Sequence, residues 1–147
     1  MPWQEILIGV AAFVVMKLGF AIHAKLFPLE NLSKESLSGK KLATDNSLYL
    51  VDIRTPSEWK DTGVIKGAHL VTFSTVANLL SEVRPKLEAG QKLAVICRSG
   101  NRSSRAARKI AKAVNYEVVD IEGGMSRVVG EGYRTVKPTR AMGCESC

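Results

Sequence analysis

The sequence is poor in the features that mark nucleic-acid-binding and metal-binding domains. Aromatic residues make up only 6% of the 147 residues, and histidine occurs twice. No zinc-finger spacing and no aromatic RNA-binding signature is present, so a nucleic-acid role would rest on the net charge of +7 alone. Such a charge is equally compatible with an acidic membrane surface or with anionic substrates. We therefore expect no nucleic-acid partner, no metal and no cofactor.

Cysteine is also scarce, because the chain has only Cys97, Cys144 and Cys147. An odd number of cysteines in a chain of this size argues against a disulfide framework, which typically stabilises small secreted domains. The composition, with 46% hydrophobic and 24% charged residues, is typical of one globular domain with a buried core. The scarcity of cysteine therefore favours chemistry over cross-linking.

No lysine or arginine precedes the apolar segment ILIGVAAFVVMKLGFAI at residues 6–22. A cleavable signal peptide would need a basic region there, so we predict one uncleaved transmembrane helix within an N-terminal hydrophobic anchor, residues 1–27. Lys17 weakens this prediction, and an amphipathic or core helix stays open. The lysines after the segment favour single-pass anchoring in the inner (cytoplasmic) membrane with the domain in the cytoplasm, although a periplasmic domain also stays open.

After a predicted linker at residues 28–44, short apolar runs alternate with helical patterns. The runs typical of buried strands are at residues 47–53, 67–73, 91–97 and 116–124. The helical patterns are at residues 56–60, 74–87, 103–114 and 125–129. This alternation predicts an α/β domain at residues 45–137 with a parallel sheet flanked by helices. Sites in such sheets form at the carboxyl ends of strands, where Asp52 and Cys97 fall.

A reactive thiol is predicted where one of these strands ends. Cys97 is followed by a loop containing Gly100 and Asn101, which tolerate a sharp bend, and then by a helix. Loop amides and the helix N-terminus stabilise an anion, so we expect the sulfur to be a thiolate nucleophile. Arg98 and Arg102 are suited to binding an incoming anion. The alternative is a buried structural cysteine that precedes a solvated basic helix face.

Three motifs resemble those of one family. The loop CRSGNRS, residues 97–103, is similar to the active-site loop of single-domain rhodaneses, sulfurtransferases that carry sulfur as a cysteine persulfide. YLVDIRTPSEWKDTGVIKGAH, residues 49–69, and EGGMSRVVGEGYRTV, residues 122–136, resemble two further segments of the family in the same order. The resemblance covers about residues 45–136 and implies a rhodanese-like fold with a five-stranded parallel sheet.

The resemblance also implies roles for individual residues. Cys97 would be the catalytic nucleophile and sulfur carrier. The substrate would be bound by the loop residues Arg98, Ser99, Gly100, Asn101, Arg102 and Ser103. Asp52 would orient the loop, with a helix cap or a salt bridge as the simpler alternative. Arg54 and Glu58 would form a structural ion pair.

The predicted function is sulfur transfer through Cys97 from thiosulfate or a low-molecular-weight persulfide to a thiol, cyanide or a thioredoxin-like acceptor. This would be a sulfurtransferase of the thiosulfate:cyanide type. Two alternatives stay open: a non-catalytic rhodanese-like sensor or scaffold at the membrane, and a cysteine phosphatase or arsenate reductase. Four residues separate Cys97 from Arg102, whereas those phosphatases use a longer loop, and no aspartate is placed to protonate a leaving alcohol. Sulfur transfer is therefore favoured.

The chain ends in GCESC, which places Cys144 and Cys147 in a C-x-x-C pair. We predict a flexible tail at residues 138–147 whose dithiol could act as a resolving pair, taking the outer sulfur from Cys97 and closing to a disulfide. A frayed tail with incidental thiols is the alternative. Two cysteines are at most half of a zinc site, so we expect no metal here.

Overall fold

A five-stranded parallel sheet organises the part of the chain that the computed structural model describes, residues 29–147. Its strands are β1 (Leu32–Glu35), β2 (Leu48–Asp52), β3 (His69–Leu70), β4 (Lys92–Ile96) and β5 (Val118–Ile121). Their order across the sheet is β1-β5-β4-β2-β3, and all neighbouring strands are parallel. The prediction of an α/β fold with a five-stranded parallel sheet is therefore confirmed.

Helices cover both faces of the sheet and create two cores. They are α1 (Gly39–Thr44), α2 (Pro56–Thr62), α3 (Val76–Val83), α4 (Asn101–Ala111) and α5 (Gly124–Gly130), followed by a short 3-10 helix at Arg140–Met142. Side chains of α1, α2 and α5 pack on one face, here called the α1/α2/α5 core. Those of α3 and α4 form the α3/α4 core on the other face. Because successive strand residues alternate in direction, Ile96 packs in the α1/α2/α5 core and Cys97 in the α3/α4 core.

The domain begins earlier than the sequence predicts. Strand β1 and helix α1 both lie in residues 28–44, which were predicted to be a linker, so that prediction is wrong for this segment. Leu32 of β1 pairs with Val118 of β5, and α1 buries Leu42. Three of the four residues of β1, LSKE, are polar or charged, because the strand lies at the edge of the sheet. It therefore has no apolar run by which it could be recognised.

The C-terminal segment packs against the opposite edge of the sheet. Cys144 and Cys147 form a disulfide, and Cys144 is fully buried in the α1/α2/α5 core. The Cys144 N–H donates to the Thr139 carbonyl at 3.1 Å, and Gly143 lies against the Leu70 carbonyl of β3. The segment therefore differs from the flexible tail expected at residues 138–147, because the buried Cys144 and the contact of Gly143 with β3 hold it on the domain, and backbone hydrogen bonds within the segment fix its own turn.

The predicted membrane anchor, residues 1–27, lies outside the described residues. Within residues 29–147, no helix combines the length and the apolar character needed to cross a membrane. The transmembrane helix and the side of the membrane on which the domain lies therefore stay predictions from the sequence.

A buried ion pair joins the end of β2 to α2. Arg54 Nη2 donates to Asp52 Oδ2 at 2.8 Å, and both side chains are almost fully buried. Arg54 also donates to Thr62 Oγ1 at 2.7 Å and to the Gly63 carbonyl at 2.8 Å, which ties it to the end of α2. The predicted ion pair between Arg54 and Glu58 is wrong, because Arg54 reaches only the backbone carbonyl of Glu58, at 3.4 Å. For Asp52, the salt-bridge alternative is the one observed.

We expect Arg54→Met to lower the free energy of unfolding by about 3–5 kcal/mol, because it leaves the Asp52 carboxylate buried without its cation. The double variant Asp52→Asn/Arg54→Met should recover part of this loss, since no unpaired buried charge remains. Urea denaturation measures both effects. Arg108→Met, at an exposed position of α4, is the matched control and should change stability little. A loss for Arg54→Met no larger than that of the control would contradict the structural role of the pair.

Candidate active site

Cys97 follows β4 directly, and its side chain is fully buried at the carboxyl edge of the sheet. The next residues turn sharply at Gly100, whose φ of 95° lies in the left-handed region that favours glycine. Helix α4 begins at Asn101, with Gly100 as its N-cap and no side-chain cap. The chain therefore brings the sulfur to the N-terminal end of α4.

One backbone donor of the loop faces the sulfur. The Gly100 N–H donates to Cys97 Sγ at 3.1 Å. The first hydrogen bond within helix α4 runs from the Ser104 N–H to the Gly100 carbonyl at 3.0 Å. The amides before Ser104 therefore have no acceptor within the helix. These amides and the positive end of the helix stabilise negative charge nearby. The loop can therefore support a thiolate or the terminal sulfur of a persulfide.

A serine and an aspartate lie behind the sulfur. Cys97 Sγ is 3.5 Å from Ser103 Oγ, and Ser103 Oγ donates to Asp120 Oδ1 at 2.7 Å. Asp120 belongs to β5, the neighbour of β4 in the sheet, and is 3% exposed. Asp120 was not among the residues predicted from the sequence, although an acid near the carboxyl end of an apolar strand is the same signal that identified Asp52.

The loop arginine Arg102 is held by helix α2. Its Nη1 donates to Glu58 Oε2 at 2.8 Å, and the same carboxylate oxygen accepts from the Thr55 N–H at 3.1 Å as part of a capping box. Hydrogen bonding to Arg102 lowers the pKa of Glu58 to about 2, and Glu58 in turn raises the pKa of Arg102. Glu58 is thus committed to Arg102 and to its own helix start, which explains why it does not pair with Arg54.

The start of α5 supports the loop from beneath. The Met125 N–H donates to the Cys97 carbonyl at 2.8 Å, and the Ser126 N–H donates to the Arg98 carbonyl at 2.9 Å. Gly124, with a φ of 58°, lies so close to the loop that a Cβ would collide with the Cys97 carbonyl oxygen. Gly124 is therefore required by this close approach, and the two hydrogen bonds fix the backbone at Cys97 and Arg98.

The other predicted site residues are placed differently. Arg98, Ser99 and Asn101 are exposed on the loop, where an incoming substrate can reach them. The carboxylate of Asp52 is engaged by Arg54.

The predicted resolving dithiol is not near the sulfur. Cys144 packs in the α1/α2/α5 core, so the sheet separates the tail disulfide from Cys97. Residues 29–147 hold no group of three His, Cys, Asp or Glu side chains suited to a metal ion.

Known proteins are similar to this chain in sequence and in fold. A family model described as the Rhodanese-like domain matches residues 34–131, which is more than half of the chain. The chain is 31% identical over 110 residues to a protein of Allochromatium vinosum named sulfurtransferase, covering 75% of this chain and 97% of that one. A rhodanese-related protein from Thermoplasma volcanium has a TM-score of 0.54 and 28% identity, over 71% of this chain and 99% of that chain.

A longer relative matches only in part. The probable adenylyltransferase/sulfurtransferase MoeZ of Mycobacterium tuberculosis is 34% identical over 88 residues, which is 60% of this chain but only 20% of the length of MoeZ. Taken with the loop geometry, these matches establish that the chain belongs to the rhodanese-like domain family. The family resemblance that the three sequence motifs predicted is therefore confirmed.

The ion pair between Glu58 and Arg102 predicts a pH-dependent stability difference. Because Arg102 lowers the pKa of Glu58 from 4.5 to about 2, the pair contributes stability that is present above pH 4.5 and is lost as the pH falls through about 2. The pair is partly exposed, so we expect Glu58→Gln to lower the free energy of unfolding at neutral pH by no more than about 1 kcal/mol.

Chemical denaturation of the wild type and Glu58→Gln over this acid range measures the difference, which should shrink as the pH falls. Glu88→Gln, which removes an exposed carboxylate of the loop before β4, is the matched control for loss of one negative charge. A difference between wild type and Glu58→Gln that stays constant from neutral pH down to about 2 would contradict the assignment.

Proposed function

We propose that the protein is a sulfurtransferase that carries sulfur as a persulfide on Cys97. The observation that carries this proposal is the buried Cys97 sulfur, which accepts a hydrogen bond from the Gly100 N–H and faces the N-terminus of α4 in a chain of the rhodanese-like family. The names of the relatives from Allochromatium vinosum and Mycobacterium tuberculosis agree with it.

The proposed reaction has two halves. The Cys97 thiolate attacks the outer sulfur of thiosulfate or of a low-molecular-weight persulfide, the donor bond to that sulfur breaks, and sulfite or a thiolate leaves with the electron pair. The loop amides and the end of α4 stabilise the charge on the persulfide. An acceptor, which is cyanide, a small thiol or a thioredoxin-like protein, then attacks the outer sulfur and Cys97 leaves as a thiolate.

A basic cleft beside the loop supports anionic substrates. The cleft has a volume of about 300 Å³, and Arg102, Arg105 and Lys109 line one side of it. Ile53 and Phe73 form an apolar part of its wall. Basic side chains at the mouth of a site raise the local concentration of anions. We infer that this cleft guides thiosulfate or a charged persulfide towards Cys97, with Arg98 and Arg102 making the direct contacts.

The two alternative functions, a sensor or scaffold and a phosphatase or arsenate reductase, are less well supported by the site. A sensor or scaffold of this fold would not need the buried thiol with its facing amide. A phosphatase or arsenate reductase would need a wider loop than the four residues between Cys97 and Arg102. Sulfur transfer therefore explains more of the site than either alternative.

We predict that thiosulfate adds one sulfur atom to Cys97, a mass gain of roughly 32 Da required by the covalent intermediate. Addition of cyanide should release thiocyanate and restore the original mass. Intact-protein mass spectrometry and a thiocyanate assay measure the two steps. Cys97→Ser should abolish both, whereas Cys144→Ser/Cys147→Ser should retain them. Absence of sulfur on Cys97 with thiosulfate and with a low-molecular-weight persulfide would rule out the proposed activity.

We also propose, from the sequence, that residues 6–22 anchor the chain in the inner membrane with the domain in the cytoplasm. The full chain should then sediment with membranes and resist extraction by alkaline carbonate, whereas a chain starting at residue 29 should not. Protease treatment of spheroplasts should leave the domain intact if it is cytoplasmic. Release of the full chain by carbonate would exclude a spanning anchor, and digestion in spheroplasts would place the domain in the periplasm.

A further inference from the structure

Three buried side chains form a continuous chain of contacts behind the nucleophile. Cys97 and Ser103 are fully buried and Asp120 is 3% exposed. Sγ of Cys97 lies 3.5 Å from Ser103 Oγ, and the Ser103 hydroxyl donates to Asp120 Oδ1 at 2.7 Å. A hydroxyl has one proton to donate and can accept another. When Ser103 donates to Asp120, its lone pairs are therefore available to the Cys97 S–H.

The surrounding charges leave Asp120 without a cation of its own. From β1, Lys34 is the register partner of Asp120, but its ammonium lies 3.9 Å from the Glu122 carboxylate. At this end of β4 the ionisable residues are Cys97 and Arg98, and Arg98 is exposed. Helix α4 contributes Arg102, which Glu58 engages. The remaining basic side chains of α4, Arg105, Arg108 and Lys109, are exposed. Among the described residues, no cation lies within ion-pair distance of the Asp120 carboxylate.

A thiolate on Cys97 and a carboxylate on Asp120 would place two negative charges in one buried region. Two like charges so close together in a buried region repel each other, so the site favours one negative charge over two. We propose that Asp120 is a positioning residue that shares one proton with the Cys97 thiol through Ser103, so that the nucleophile ionises without releasing a proton to solvent. The proposal deepens the proposed function, since it concerns the same nucleophile.

The proton balance of the step is complete within these three groups. The Cys97 S–H bond breaks, Ser103 Oγ accepts that proton, and the hydroxyl proton of Ser103 passes to Asp120 Oδ1. Cys97 becomes a thiolate and Asp120 a neutral carboxylic acid, so the buried charge is unchanged. While Cys97 carries the outer sulfur, the proton stays on Asp120. When the acceptor removes that sulfur, the reverse transfer restores the thiol.

The test measures the rate at which iodoacetamide alkylates Cys97 in the full chain, since this rate reports the thiolate fraction without requiring sulfur transfer. With the tail disulfide intact, Cys97 is the remaining thiol. If the proton transfer is internal, the wild-type rate should change little with pH around neutrality. In Asp120→Asn and in Ser103→Ala, the proton must leave to solvent, so the rate should fall about tenfold for each pH unit below neutrality.

Two controls separate proton sharing from a structural role. Ser103→Thr keeps the hydroxyl and should keep the flat profile, and Asp61→Asn, at an exposed position of α2, should behave as the wild type. A wild-type rate with the same steep pH dependence as Asp120→Asn would overturn the proposal. The proposal would also be overturned if Asp120→Asn and Ser103→Ala lowered the alkylation rate by the same factor at every pH. Such a uniform loss would show that these residues have only a structural role. Neither outcome depends on whether Cys97 accepts sulfur from thiosulfate.

Discussion

The site depends on a close approach between two backbone segments. Gly124 lies against the carbonyl of Cys97, and the amides of Met125 and Ser126 donate to the carbonyls of Cys97 and Arg98. These contacts fix the carbonyls on one side of the loop, which leaves amides, including the Gly100 N–H, for the side of the sulfur. A loop that binds an anion through its backbone must turn its amide N–H groups towards the anion and its carbonyls away from it. Here the hydrogen bonds from the start of α5 hold the loop carbonyls in that orientation.

Two acids at the carboxyl edge of the sheet have different partners. Asp52 is neutralised by Arg54, which also ties down the end of α2. Asp120 is held by the hydroxyl of Ser103 next to Cys97. The buried guanidinium of Arg54 binds Asp52 in a structural ion pair, whereas Asp120 has an uncharged hydroxyl as its partner. The partner, rather than the position in the sheet, therefore separates a structural acid from one that influences the nucleophile.

The sequence predicted the parts of the fold that local patterns encode. Apolar runs marked β2 and β4, and the position of Cys97 before a glycine-containing loop marked the nucleophile, because these features are contiguous in the chain. Strand β1 was missed since an edge strand buries few side chains. The partners of Glu58 and Asp120 could not be predicted, because each contact joins residues far apart in the sequence. The packing of the C-terminal segment depends in the same way on contacts with β3.

The two edges of the sheet are protected by different means. A strand edge exposes unpaired backbone groups that can join the sheet of another molecule and start aggregation. On the β1 side, Ser33 and Lys34 make the edge polar and charged. On the β3 side, Gly143 lies against the Leu70 carbonyl, and the Cys144–Cys147 disulfide closes the segment that covers it. The last ten residues therefore act as a cover for an open sheet edge, so that losing them would affect self-association before it affected chemistry at Cys97.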